Sequence, residues 1–330
     1  MPTCLPFDLP RKRRIPAAVA VDDHALPRRR VARFLPGLLA ACCVAAVALG
    51  PVPGTGTPTP SPLVVAVALL VAGGILSGFL SGLLGIGGAL VTLPVLHSVL
   101  PMLGVPAVDV AHAAVLAGLV AMVPTTVAAT IPQWRHGAVD VPTLRALLPA
   151  VAVGAMAGTA LAVLVSGTVL VIVFAAQGLW CGVRMLIGCS AAHPSLPARL
   201  VCRLPPRIVA GSFGSLCASV GLGCGPMATP FLLSRGLAFR SAVATASVLS
   251  LAMAMSAGAL RAGLLPSGGP HAIGLQTWVA GVLVGFVATT VAGHGVRCSR
   301  VMSESRLRSG VGAVYVIGAL AVAGPVLLGR

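Results

Sequence analysis

Two stretches of the chain set glycine and proline at one spacing. Gly85-Ile-Gly-Gly-Ala-Leu-Val-Thr-Leu-Pro94 and Gly221-Leu-Gly-Cys-Gly-Pro-Met-Ala-Thr-Pro230 each open on glycine, repeat it two residues later and close on proline nine residues on. Glycine interrupts a helix and turns the backbone without a Cβ clash. The residues after it open a new short helix, whose first N–H groups have no intrahelical acceptor. Such an end carries about half a positive charge and takes anions. The chemistry predicted is capture of a small anion by backbone N–H groups. The candidate substrate-binding residues are Gly85, Gly87, Gly88 and Pro94, then Gly221, Gly223, Cys224, Gly225 and Pro230, with His112 added from the side chains.

His112 enters because an ionisable residue inside an apolar run is a functional candidate by default. Asp109, just before it, reads equally as a helix cap at the interface. His97, His193, His271 and His294 read as loop or interface histidines. Gln177 and Arg184 share one apolar run, where Arg184 is placed to snorkel to the edge. Cys217 and Cys224 flank the second glycine stretch, either packing as small residues or meeting a sulfur anion. The nine cysteines contain no C-x-x-C pair, and most sit in apolar runs. Buried cysteine acts mainly as a small hydrophobe, so no disulfide framework, zinc site, metal or cofactor is expected.

The elements that must carry these residues follow from composition. Of 330 residues, 57% are hydrophobic and 8% charged. A soluble globular protein carries about 25% charged residues, so this chain cannot cover a soluble surface. A soluble enzyme and a nucleic-acid partner are excluded on that ground, and disorder is excluded by the apolar content. The apolar runs are continuous, not alternating, which excludes a β-barrel. The predicted class is an all-α polytopic membrane protein whose surroundings are the lipid bilayer.

Residues 1–33 form a basic tail, 34–50 an extra transmembrane helix or signal anchor, and 51–62 a Pro/Thr-rich linker. Long apolar segments follow at Leu63–Leu84, Val108–Ile131, Ala146–Val165, Thr168–Gly188, Ser241–Leu260, Thr277–Val296 and Ser309–Leu328. Ala89–Leu103, Ile208–Val220 and Pro226–Leu233 are shorter. About 20 apolar residues are needed to cross the hydrocarbon core. Arginines crowd the loops 135–145, 189–207, 235–240 and 297–308. Placing these and the N-terminal tail in the cytoplasm gives a consistent count of crossings. The loop 261–276, carrying only Arg261, falls on the other side. Full crossing or re-entry of 89–103 and 226–233 leaves the later loops unchanged.

The paired stretches belong to a longer internal repeat. Gly78 aligns with Gly214, Ala111-His-Ala-Ala114 with Ala244-Thr-Ala-Ser247, and Gly154-x-x-x-Gly158 with Gly281-x-x-x-Gly285. Residues 63–188 form the first transporter repeat, 189–207 the cytoplasmic connection and 208–330 the second repeat. The loop assignment gives the halves inverted topology, each with a helix pair interrupted by a glycine loop. That is a transporter architecture, with its site near the midplane.

The run SGFLSGLLGIGGALVTLPVL, its second copy and the loop Arg135-His-Gly-Ala-Val-Asp140 resemble the TauE/SafE family of sulfite exporters and related anion permeases. The resemblance spans roughly residues 63–325. It implies a multi-pass bacterial inner-membrane transporter of sulfite, sulfoacetate or another small, often sulfur-containing anion, and no enzyme. The second motif departs from the first in reading GLGCGP, with Cys224 where the first has Gly88.

The scarcity of carboxylates inside the apolar runs fits outward movement of an anion. The membrane potential supplies about 2.3 kcal/mol per charge per 100 mV and drives anions out of a negative cytoplasm. Two other classes are weighed. An intramembrane hydrolase would use Ser81 or Ser190 as nucleophile, and a structural or assembly protein would need no site.

Overall fold

The computed structural model describes residues 62–84, 88–186, 204–264, 274–301, 309–310 and 312–320; these form helices and short turns, with no strand among them. The expected tail, anchor and linker up to residue 61, and the connecting loop up to residue 203, lie outside the described residues. In chain order the helices are α1 (Pro62–Leu84), α2 (Ala89–Val99), a 3-10 turn (Pro101–Leu103), α3 (Val110–Arg135), α4 (Val141–Val163) and α5 (Gly167–Leu186). Then come α6 (Pro206–Val220), α7 (Gly225–Ser234), α8 (Phe239–Leu264) and α9 (Leu275–Val301). Residues 312–320 are also helical.

Local sequence sets the breaks. Asp140 caps α4, its Oδ2 accepting from Thr143 N at 3.3 Å, with Pro142 in the first turn. Pro205 and Pro206 open α6, and Gly221 closes it in the left-handed region at φ 73°. Six of the helices are long and apolar enough to cross a membrane: α1, α3, α4, α5, α8 and α9. At 1.5 Å per residue, α2 and α7 are about 16 Å and 15 Å long, half of a hydrocarbon core about 30 Å thick. The chain is a multi-pass membrane protein.

Small residues set the helix contacts, because close approach of backbones is what drives packing in lipid. Gly74 lies against Val284 and Val287, Gly78 against the Ala288 backbone, and Gly295 against Phe79 and Gly82. The contacts advance together along both helices, so α1 and α9 are parallel. Gly154 meets Gly211 and Gly158 meets Ser215, so α4 and α6 are parallel too. Gly281 on Ala117 and Gly285 on Ala121 make α3 and α9 parallel. Gly258 beside Leu119 and Arg261 beside His112 make α3 and α8 antiparallel. The α1–α9 and α4–α6 interfaces are the most extensive in the molecule, followed by α3–α9 and α4–α8.

One alignment from the sequence does not carry over to contacts. Gly154 and Gly158 face α6, whereas Gly281 and Gly285 face α3. Spacing of small residues marks a contact face without saying which neighbour fills it.

These directions sort the arginines. Helices α3 and α9 finish, and α4, α6 and α8 begin, at one end. Arg135, Arg145, Arg184, Arg207, Arg235, Arg240, Arg297 and Arg300 all lie toward that end. Arg261, three residues before the close of α8, is the single described arginine at the other. The outer faces are apolar, with Leu63, Ile75, Val153, Leu161, Ile172 and Phe286 exposed, as suits contact with lipid tails. Two buried hydroxyls of α3 are satisfied within the helix itself: Thr125 Oγ1 donates to Ala121 O and Thr126 Oγ1 to Met122 O, both at 2.6 Å.

Candidate anion site

The first motif is described from Gly88 onward; Gly85 and Gly87 lie outside the described residues. Gly88 precedes α2 at φ 67°, and a Cβ there would run into Ser77 Oγ. Only glycine combines that backbone angle with that proximity. Thr92 Oγ1 lies 2.8 Å from Ser77 Oγ and 3.2 Å from Gly88 O, tying the start of α2 to α1. Pro94 sits inside α2 and has no N–H, so the Leu90 carbonyl lacks its usual intrahelical donor.

The second motif is described throughout. A Cβ on Gly221 would stand 3.2 Å from Val115 Cγ1 of α3. Leu222 N donates to Cys217 O at 2.9 Å, closing α6. Gly223 is buried. Cys224 is the N-cap of α7, its carbonyl accepting from Met227 N and Ala228 N at 3.1 and 2.8 Å. Its thiol lies 3.3 Å from Met253 Sδ on α8. Gly225 opens α7, and Pro226, next to it, has no N–H to offer. The second helix start thus presents fewer donors than the first. Pro230 is exposed in the interior of α7.

The first helix start and the α8 neighbour of the second share a depth, whereas Gly221, against the Val115 backbone, lies about 12 Å nearer the start of α3. A Cβ on Gly118 would lie 3.4 Å from Leu93, and α2 runs antiparallel to α3. Gly88 is therefore level with about Val123. Gly258 is beside Leu119, which by the antiparallel register puts Met253, the neighbour of Cys224, level with about Pro124. Both positions fall near the middle of α3. From there α2 runs toward the arginine-poor end and α7 toward the arginine-rich end.

His112 lies three residues from Val115, the contact of Gly221. It is 12 residues from Pro124 along α3, about 18 Å away. Its carbonyl and Nδ1 both face Arg261, with Nη2 3.0 Å from Nδ1 and 3.4 Å from the carbonyl. Guanidinium only donates, so Nδ1 is the acceptor and the ring proton sits on Nε2. Arg261 does not belong to the expected loop 261–276: it lies in the last turn of α8 and is fully buried. The apolar run appeared to stop there because a charge ended it. Thr245, which aligns with His112, likewise reaches the other half, accepting from Asp140 N at 3.0 Å. Asp109 occupies the N-cap position of α3.

Between the two levels lies an apolar cavity of about 30 Å³, lined by Leu93 and His97 of α2, Val115 of α3, Phe174 of α5 and Val220 of α6. That is room for about one water. Gln177 of α5 reaches the second motif, its Nε2 3.3 Å from Cys217 Sγ and 3.8 Å from Met227 Sδ. Arg184 stacks over Trp180 at 4.8 Å. Ser81 is buried and its hydroxyl has no hydrogen-bond partner, so no base activates it. Ser190 lies outside the described residues.

The family model described as Sulfite exporter TauE/SafE matches residues 70–322. The chain belongs to the TauE/SafE sulfite exporter family. The matched region holds both glycine stretches and every helix from the body of α1 onward. No curated protein and no solved structure shows a significant match to the chain. TauE/SafE proteins are membrane transporters.

Proposed function

We propose that this TauE/SafE protein exports a small sulfur-containing anion, sulfite or an organosulfonate, across the bacterial inner membrane. The observation that carries the reading is the pairing of two short, oppositely directed helices whose N-terminal starts are both buried inside the bundle. Helix N-termini favour negative charge, and a break in a membrane helix is tolerated where it lines a cavity or is buried in protein. The anion rests between these starts, held by backbone N–H groups around Gly87, Gly88, Gly223, Cys224 and Gly225. The antiparallel relation of α3 and α8 supports inverted repeats, in which rocking of one half on the other exposes the site to each side in turn. Outward flux follows the membrane potential.

The test is sulfite flux into and out of proteoliposomes holding the purified full chain. Gly223→Val is expected to abolish flux while the protein still inserts and purifies, because valine is apolar but β-branched and bulky at the anion's place. Wild-type flux through that variant overturns the glycine-loop site. Absence of flux in the parent chain for sulfite, thiosulfate and sulfoacetate overturns the transport reading.

A further inference from the structure

The second glycine motif collects sulfur. Cys217 near the end of α6, Cys224 at the N-cap of α7, Met227 in the first turn of α7 and Met253 on α8 are all buried. Cys217 Sγ and Met227 Sδ are 3.9 Å apart, and Cys224 Sγ lies 3.3 Å from Met253 Sδ. The Cys217 thiol has that of Cys224 as a neighbour, which links the two pairs. Both cysteines are free thiols. Gln177 of α5 aims its Nε2 at Cys217 Sγ from 3.3 Å and at Met227 Sδ from 3.8 Å.

Buried cysteine and methionine often serve as plain apolar filling. The internal repeat argues for more. At the offset that aligns Gly85 with Gly221, Ser81 aligns with Cys217, Gly88 with Cys224 and Val91 with Met227. The first half therefore sets a hydroxyl, a glycine and a valine where the second sets three sulfurs, so a helix break of this kind does not itself call for sulfur.

The spacing suits a metal ion. Four sulfurs held at about 2.3 Å around one ion stand roughly 3.8 Å from one another. Cys217 and Met227 already have that separation. Methionine is unbranched with three rotatable bonds, so Met253 Sδ can withdraw from Cys224 to match it. The donor set then selects the ion. Thiolate and thioether sulfur suit soft ions such as Cu(I). Among the described residues no three of His, Cys, Asp and Glu come together, so the ligands of a zinc site are not assembled and thioethers complete the set. Cys181 of α5 lies within electrostatic reach of Cys217 without completing a group of three cysteines. Charge agrees with a monovalent ion. When it replaces one thiol proton, an S–H bond breaks, the proton leaves to solvent and a sulfur–metal bond forms with no change of oxidation state, so the buried site stays neutral. The Gln177 N–H groups suit the thiolate so formed.

We propose that Cys217, Cys224, Met227 and Met253 form a buried site for one soft monovalent cation, Cu(I), bridging α6, α7 and α8. Occupied, the site fastens the start of α7 to both neighbours. It does not rest on the anion reading above.

The test is anaerobic Cu(I) uptake by the purified full chain, with free Cu(I) set by bathocuproine disulfonate and read from the absorbance of that chelate. The parent is expected to take up one equivalent more than Cys217→Ala or Cys224→Ala, whatever the remaining cysteines bind. Met227→Leu and Met253→Leu keep every thiol and nearly the same volume, so they are expected to fold. Each is expected to weaken uptake at least about tenfold, since even an outer-shell partner of a metal is worth that much. Cys181→Ser is expected to match the parent. Cu(I) is expected to raise the unfolding midpoint of the parent and not that of Cys217→Ala. Equal uptake by the parent and both cysteine variants overturns the site, as does a parent that binds no Cu(I). If the cysteine variants do not fold, parental affinity in both Met→Leu variants overturns it equally. Zn(II) that displaces Cu(I) at equal concentration overturns the choice of ion. Cu(I) bound by a chain that carries no sulfite keeps the site and refutes transport, and sulfite flux in a chain that binds no Cu(I) does the reverse.

Discussion

In the proposed site the anion meets backbone, so side chains around it are expected to tune stability more than selectivity. Cys224 illustrates this: its thiol turns to Met253 at 3.3 Å. Cys224→Ser is expected to lower the unfolding midpoint slightly, through a buried hydroxyl in a thioether contact, and to leave the preference between sulfite and a non-sulfur anion unchanged. Competition of flux by nitrate against sulfite measures that preference. A changed ratio would put the thiol on the substrate. Thr92→Val removes the hydroxyl that holds Ser77 beside Gly88; a cost of about 1 kcal/mol is expected, read in thermal unfolding, with flux per folded molecule retained. The glycines and prolines of the site were legible in the sequence because they repeat. The burial of Arg261 was not. An arginine at the close of an apolar run looks like a loop boundary, and only the antiparallel register of α3 and α8 brings it to His112.

At the scale of elements, helix existence was plain from apolar runs, and the interruptions from Gly and Pro. What spacing withheld was partnership. Gly74-x-x-x-Gly78 reads as a packing face and proves to be one, against Val284, Val287 and Ala288 of α9. Yet the glycine pairs of α4 and α9, aligned in sequence, turn to different neighbours. A one-dimensional pattern fixes the angle of a small-residue stripe on its own helix; which helix lies against it depends on the arrangement of the whole bundle. Gly78→Leu is expected to destabilise the bundle by about 1–3 kcal/mol or more, since the Ala288 backbone already occupies that space. The yield of folded protein after detergent extraction measures this. The defect is expected in assembly, with any surviving molecules keeping the parent's anion preference. Gly154→Leu, against the Gly211 backbone in the α4–α6 interface, is expected to behave alike.

At the scale of the molecule, the arrangement of arginines defines two unlike ends, and the orientation in the membrane follows from them. Eight described arginines share one end, and the positive-inside bias predicts that end to be cytoplasmic. On that orientation Arg261 belongs to the outward half, against His112. The orientation is tested by single cysteines at exposed positions of opposite ends: His136→Cys in the turn between α3 and α4, and Val108→Cys ahead of α3. A membrane-impermeant maleimide is expected to label Val108→Cys in intact cells and His136→Cys only after permeabilisation, against the background of the parent's own cysteines. The buried Cys181, Cys217 and Cys224 add little to that background. Labelling in the reverse order would turn the bundle over. The end that carries Arg135, Arg145 and Arg207 would then face outward, against the positive-inside bias.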